Sequence, residues 1–167
     1  MSLYPLVYLT DPRLRHETKP VTVFDDKLQI LIDDMFETMY AENGVGLAAP
    51  QIGISLKLAV LDASPKQNER ICIINPEIIS REGEEMMAEG CLSVPGVYDK
   101  APRAHTVKVR ALDRDGKPFE IEGDGLLAHV LQHEIDHLNR KVFVDYLSPL
   151  KRQMARKKTE KFLRQRK

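Results

Sequence analysis

The residue types best suited to chemistry lie in the segment HEIDH at positions 133–137. Residues four apart on a helix share one face, about one turn apart, so His133 and His137 can bind a single metal ion. Glu134 lies beside that face, where a carboxylate can exchange a proton with a water on the metal. The pattern predicts a metal site on a helix; the alternative is a polar helix face whose histidines are only solvated.

A catalytic site of this type needs a third protein ligand and one open position. His129 lies one turn earlier on the same face, but three ligands along about 12 Å of helix cannot all reach one ion. We therefore expect His129 to line the adjacent pocket wall or to pack beside the helix. Cys91, in the segment EGCLSVPG at 89–96, is the alternative third ligand, whereas Cys72 lies among isoleucines and is expected to be an inert thiol.

A further segment of small residues is GVGLAAPQ at 44–51. It follows a predicted helix rather than a strand and lacks the Lys-Ser/Thr pair of a phosphate-binding loop. Its backbone can pair with an extended peptide, and the amide of Gln51 can donate to a developing oxyanion. Tight packing of a loop would explain the same composition.

The elements that must position these groups are amphipathic helices and short strands. Apolar residues at three- and four-residue steps predict helices over 25–42 and 124–138, the second capped by Asp124 and ended by Asn139. Alternation and turn residues predict the rest of the chain: an extended arm over 1–24 with a turn at 11–14, a loop over 43–53, strands over 57–63, 70–75 and 77–81, a hairpin of 105–112 with 118–122, and a short apolar run over 142–147.

A last helix is predicted to begin at Ser148 and Pro149 and to run to the terminus. Strands and helices do not alternate regularly, which favours an α+β fold over a doubly wound sheet. We expect small antiparallel or mixed β-sheets packed around a central helix that binds the metal, with a C-terminal helix.

Charge is distributed unevenly along the 167 residues, although the formal net charge is zero. Residues 151–167 carry nine basic side chains and one acidic one, a net charge of +8, which leaves −8 for residues 1–150. A basic extension on an acidic body suggests an anionic partner for the extension. A solvated helix that merely packs on the domain would show the same run of charge.

The composition excludes several classes of protein. The 43% of hydrophobic residues is enough for a packed core, and the length fits one domain. No apolar run approaches the roughly 20 residues of a membrane span, and the first 15 residues lack the pattern of a signal peptide. Two cysteines without a sign of export favour reduced thiols and a cytoplasmic location.

Three segments, GVGLAAPQ, EGCLS (89–93) and QHEIDH (132–137), closely resemble the motifs of peptide deformylases in their order and separation. The resemblance covers nearly the whole chain and includes LTDPRLR and ALDRDGKPFE (111–120). The helix after DYLSPL is similar to that of bacterial members with a helical extension. The resemblance implies a catalytic domain over 1–150 and a basic helical extension of the same domain over 151–167.

The resemblance also implies roles in catalysis. The metal ligands would be Cys91, His133 and His137. They would hold one Fe²⁺ per chain, replaceable by Ni²⁺ or Zn²⁺. Glu134 would be the general acid and base, and Gln51 and the backbone amide of Leu92 would stabilise the oxyanion.

Substrate contacts follow from the same resemblance. The backbone at Val45, Gly46 and Gly90 would pair with the substrate as an added strand. We expect the methionine side chain in an apolar pocket walled by Val45, Leu126, His129 and Val130. Tyr98 occupies a position where some bacterial members carry arginine.

The implied function is hydrolysis of the formyl group from the N-terminal formyl-methionine of newly made proteins, with release of formate. The basic helix would contact the ribosome surface, and no membrane or direct DNA contact is expected. An HExxH endopeptidase is the competing enzyme, but it gives Cys91 no role. A structural zinc module with an RNA-binding tail would need four protein ligands. An inactive relative is disfavoured because every expected catalytic residue is present.

Overall fold

The computed structural model describes residues 3–166. Met1, Ser2 and Lys167, which belong to the predicted arm and the predicted C-terminal helix, lie outside this range. Within it the helices are α1 (Asp26–Ala41), α2 (Gly125–Leu138) and α3 (Pro149–Gln165). The strands are β1 (Gly46–Ala48), β2 (Leu58–Leu61), β3 (Ile71–Glu82), β4 (Glu85–Cys91), β5 (Val94–Arg103), β6 (Thr106–Leu112) and β7 (Pro118–Asp124). Short 3₁₀ turns are Pro12–Arg15, Ala49–Ile52 and Phe143–Tyr146.

Five strands form one antiparallel sheet in the order β1-β2-β3-β6-β7, and β4 pairs with β5 as a separate two-stranded sheet. Helices α1 and α2 pack on opposite faces of the larger sheet. Strand β2 is apolar throughout because both of its faces are buried. Ala59 and Leu61 pack in the core under α2, whereas Leu58 and Val60 pack in the core under α1. The α+β class is confirmed.

Helix α2 begins one residue after its predicted start and ends at the predicted residue. Asp124 occupies the N-cap position, but its side chain makes no capping hydrogen bond; Asn139 is the C-cap. Helix α3 also begins as predicted, since the Ser148 hydroxyl accepts a hydrogen bond from the Lys151 amide and Pro149 is the first helical residue.

Three predictions about the strands were wrong or incomplete. Residues 43–53 are not only a loop, because they contain β1 and a 3₁₀ turn. The strands predicted over 70–75 and 77–81 are one strand, β3, whose pairing with β6 is shifted at two irregularities. Strands β4 and β5 were not anticipated, and they contribute much of the site described below.

Helix α3 lies back on the rest of the chain through a small apolar cluster. Ala155 packs in this cluster with Leu14, Val94 and Phe143. Lys151 also pairs with Asp99 of β5 at 3.1 Å. Among residues 3–166, no helix combines the length and the apolar character that a membrane crossing requires.

Candidate metal and active site

A pocket of about 310 Å³ lies between the start of β1, strand β4 and helix α2. All predicted site residues except His137 line it: Val45, Gly46, Gln51, Gly90, Cys91, Leu92, Leu126, His129, Val130, His133 and Glu134. His137 is buried and borders the same site through Cys91. Strand β4, missing from the sequence prediction, adds Met87 and Ala88 to the lining.

The three predicted metal ligands come together from two elements. His133 and His137 project from successive turns of α2 with ring centroids 5.0 Å apart, and Cys91 ends strand β4. The Cys91 Sγ lies 3.4 Å from His137 Nε2. Among the described residues this trio forms the group able to hold a metal ion, with ligand atoms all within 4.8 Å of one another.

The donor set fits a divalent transition metal. A sulfur and two imidazole nitrogens suit zinc or iron, and three protein ligands leave a fourth position open. His133 is oriented for this role because its Nδ1 donates to Glu89 Oε1 at 2.8 Å, which leaves Nε2 as the ligand atom. His137 Nδ1 has no hydrogen-bond partner within the described part of the chain.

Glu89 is itself fixed by a buried network that the sequence analysis did not identify. Arg103, on β5, donates to both oxygens of Glu89 at 2.6 and 2.8 Å and to Asp136 at 2.6 Å. The Tyr146 hydroxyl donates to the same Asp136. Although burial raises the pKa of Glu89, hydrogen bonds from Arg103 and His133 outweigh it and lower that pKa to about 2. Glu89 therefore stays ionised and holds His133 in one orientation.

Glu134 is buried beside the ligands, and its Oε1 has no hydrogen-bond partner among residues 3–166. Burial raises its pKa to about 7, the range suited to proton transfer at neutral pH. Its carboxylate packs against the backbone of Gly46, where a Cβ atom would overlap it. Glycine at 46 is thus required by the close approach of the strand to the carboxylate.

Gln51 and Leu92 flank Cys91. The side-chain Oε1 of Gln51 accepts from the Ala48 amide at 2.8 Å, which turns its Nε2 toward Cys91 Sγ and Ser93 Oγ at 3.6 and 3.3 Å. Leu92 lies in the turn directly after Cys91, and its side chain packs on Gly44. Gln51 and Leu92 thus both adjoin Cys91.

The remaining predicted contacts form the pocket walls and mouth. Leu126 and Val45 are half-exposed, whereas Val130 and His129 are buried. The Val45 carbonyl accepts a hydrogen bond from the Asp62 amide at 2.8 Å, so this atom is already engaged within the fold. Tyr98 is 78% exposed, and its ring covers Gly90 so closely that a Cβ there would lie 2.5 Å from the Tyr98 Cε1 atom.

Comparisons of the sequence and of the fold with known proteins lead to a single family. The sequence model of the polypeptide deformylase family matches residues 3–153. A crystal structure of a peptide deformylase from Legionella pneumophila is 61% identical, with a TM-score of 0.95, over 99% of this chain and 98% of that chain. A peptide deformylase from Synechococcus elongatus, solved in complex with actinonin, is 42% identical, with a TM-score of 0.88, over 94% of this chain and 88% of that one.

A third similar structure also belongs to a peptide deformylase. The peptide deformylase from Ehrlichia chaffeensis is 39% identical, with a TM-score of 0.94, over 98% of both chains. The family match covers every residue of the pocket and of the Cys91, His133 and His137 group. By fold, sequence and site together, this chain belongs to the polypeptide deformylase family and is an enzyme of that type.

Proposed function

We propose that this chain hydrolyses the formyl group from N-terminal formyl-methionine of newly made proteins and releases formate. The observation that carries the proposal is the convergence in one pocket of a sulfur and two imidazole donors with the buried carboxylate of Glu134. Membership of the deformylase family supports the same chemistry.

Cys91, His133 and His137 would hold the metal, which we propose to be Fe²⁺ with Ni²⁺ or Zn²⁺ as replacements. A divalent ion there supplies Lewis acidity, which polarises a carbonyl oxygen and makes water more acidic. The single thiolate suits a softer ion and is consistent with iron as well as zinc. Glu89 and Arg103 keep His133 in place for this purpose.

Glu134 is the proposed proton carrier. A water oxygen bonds to the formyl carbon, and an oxygen of Glu134 takes the proton released from that water. Glu134 then gives the proton to the amide nitrogen as the carbon–nitrogen bond breaks. The second water proton leaves on formic acid, which ionises to formate as the new amino terminus takes up a proton, so atoms and charge balance without another reactant.

Gln51 and the amide of Leu92 are the proposed oxyanion donors. Both lie beside Cys91, and Gln51 Nε2 already faces the sulfur. Each such donor contributes about 3 kcal/mol to stabilisation of the transition state in comparable sites. The Gln51 amide is oriented in advance by Ala48, so little reorganisation is needed when charge develops.

The substrate would bind as an extended strand between β1 and β4. Strand β1 is an edge of the larger sheet, and β4 is paired on one side by β5. Backbone groups of Gly46 and Gly90 face this gap from the pocket lining, with Val45 beside them. The methionine side chain would enter between Leu126, His129 and Val130.

We also propose a role for the basic C-terminal helix as an extension of the catalytic domain over 1–150. The exposed Lys and Arg side chains of α3 would contact phosphates on the ribosome, where formyl-methionyl chains emerge. Such a role places the enzyme in the cytoplasm, with no need for membrane or DNA contact.

The test is formate release from formyl-Met-Ala-Ser, with metal content measured on protein purified without oxygen. Acetyl-Met-Ala-Ser is the control, because a site shaped for the smallest acyl group should exclude it. We expect formate release that depends on bound metal and a far slower reaction with the acetyl peptide. Failure of metal-loaded protein to release formate, or cleavage of internal peptide bonds instead, would overturn the proposal.

A further inference from the structure

Strand β4 presents two glutamates to helix α2, and each is paired with a histidine. Glu89 contacts His133, and four residues earlier on both elements Glu85 contacts His129. The first pair orients a proposed metal ligand. The second pair has no part in the proposed proton transfer, although its histidine lines the same pocket.

The second pair fixes the His129 ring firmly. His129 Nε2 lies 2.8 Å from Glu85 Oε1, and the other oxygen of Glu85 lies 3.2 Å from His105 Nδ1. An ionised carboxylate only accepts hydrogen bonds, so Nε2 carries the hydrogen in this contact. His129 is buried, whereas Glu85 and His105 reach the surface. The three residues thus connect the pocket wall to solvent.

An imidazole is an unusual choice for this position. Leu126, Val130 and Met87 make the neighbouring wall apolar, and an aliphatic side chain at 129 would need no partner. The ring instead requires Glu85, and its Nδ1 has no hydrogen-bond partner among the described residues. The imidazole also brings an aromatic ring to the pocket lining, which an aliphatic side chain would not.

We propose that His129, positioned by Glu85, selects the thioether of methionine over an alkyl chain of the same length. This inference rests on the proposed function and names what its pocket recognises. The polarisable sulfur gains from contact with an aromatic ring, an effect of about twofold to tenfold in affinity. A wholly aliphatic wall lacks that preference, and it favours the more apolar norleucine.

The test compares kcat/KM for formyl-Met-Ala-Ser and formyl-norleucyl-Ala-Ser on the same sample. The ratio of the two kcat/KM values is independent of how much of the sample is folded and metal-loaded. It therefore reports only how the pocket distinguishes the two side chains. We expect the parent protein to favour methionine by about threefold or more, mainly through KM, within the range of such contacts. His129→Leu should bring the ratio to about 1 or below, because the aliphatic wall no longer distinguishes sulfur.

Glu85 gives a second route to the same answer if His129→Leu fails to fold. Glu85→Ala should lower the ratio by releasing the ring, whereas Glu85→Gln, whose amide oxygen still accepts from Nε2, should preserve it. His105→Gln is the matched control and should keep the parent ratio, because Glu85 remains bound to His129.

The possible outcomes separate the two proposals. A parent enzyme that releases formate from both peptides equally, or a ratio unchanged in His129→Leu and in Glu85→Ala, overturns the role of His129 while the proposed function stands. If metal-loaded protein releases formate from neither peptide, the proposed function is overturned, and the specificity inference falls with it.

Discussion

Helices α2 and α3 are similar in length but differ in how they are embedded. Ten of the 14 residues of α2 are buried, including two proposed metal ligands and Glu134, whereas only Ala155 and Thr159 are buried among the 17 of α3. Polar groups in α2 therefore depend on partners that other elements supply. Charges of α3 are solvated and act together rather than singly. A single substitution of a polar residue should therefore have a large effect in α2 and a small effect in α3.

The largest expected effect is at Glu134. Glu134→Gln keeps the size of the side chain but removes the proton carrier, so turnover should fall by about 10²–10⁴. Metal content should stay the same, because Cys91, His133 and His137 are untouched. Glu160→Gln in α3 is the control and should change turnover less than twofold. Undiminished turnover of metal-loaded Glu134→Gln protein would exclude Glu134 from the reaction.

The two cysteines should respond differently to substitution, because Cys91 is a proposed metal ligand and Cys72 is a partly buried, inert thiol. Cys91→Ser should lose most of the bound metal and with it the activity, since an alcohol is a poor ligand at neutral pH. Cys72→Ser should keep both. Burial raises the pKa of the Cys72 thiol to about 12, so almost none is thiolate below pH 9 and alkylation in the Cys91→Ser protein should be slow. Equal metal content in Cys91→Ser and the parent would point to another third ligand.

Arg103 shows how α2 depends on partners outside itself. Arg103→Met keeps much of the volume but leaves Glu89 and Asp136 without their buried cation. The free energy of unfolding should fall by about 3–5 kcal/mol, and metal affinity by about 10- to 100-fold as His133 loses its fixed orientation. Urea denaturation and metal titration measure the two effects.

The matched control is Arg156→Met in α3, whose ion pair with Glu160 spans 3.6 Å at the surface. Such exposed pairs contribute about 0.5 kcal/mol or less, so its unfolding curve should barely move. Similar losses in the two variants would remove the distinction between the helices.

Helix α2 was also the element that the sequence predicted best. Helix α2 was placed to within one residue because its apolar stripe is long and regular and Asn139 ends it. The proposed metal ligands, which the structure brings together, followed from the HEIDH spacing together with the resemblance of the EGCLS segment. These signals are local, so they survive without knowledge of the tertiary structure.

Strands β4 and β5 lacked such a signal. No residue of β4 is fully buried, and β5 contains Pro95, Gly96 and Pro102, so neither shows an apolar alternation. Three of the side chains that fix these strands to α2 are instead charged: Glu85, Glu89 and Arg103 are stabilised by partners on that helix. A pairing between residues far apart in sequence leaves no local pattern, which is why the network around Glu89 was missed.

The smallest effect on chemistry is expected in α3, where charge alone is changed. Lys157, Lys161 and Arg164 are exposed on α3, and changing all three to Gln leaves Ala155 and Thr159 packed. Hydrolysis of formyl-Met-Ala-Ser should stay within twofold, because no proposed catalytic residue lies beyond residue 150. Co-sedimentation with ribosomes should weaken, since each lost phosphate contact reduces the dependence of log K on log salt by about 0.7–0.9.

A second triple variant decides whether position or only total charge matters. Lys27, Lys66 and Lys117 are exposed on the body of the protein, and their change to Gln removes the same charge. If α3 contacts the ribosome, this variant should co-sediment as the parent does between about 50 and 200 mM salt. Equal weakening in both triples would show general attraction to polyanions. No co-sedimentation of the parent at about 50 mM salt would leave α3 as a solvated helix that packs on the domain through Ala155.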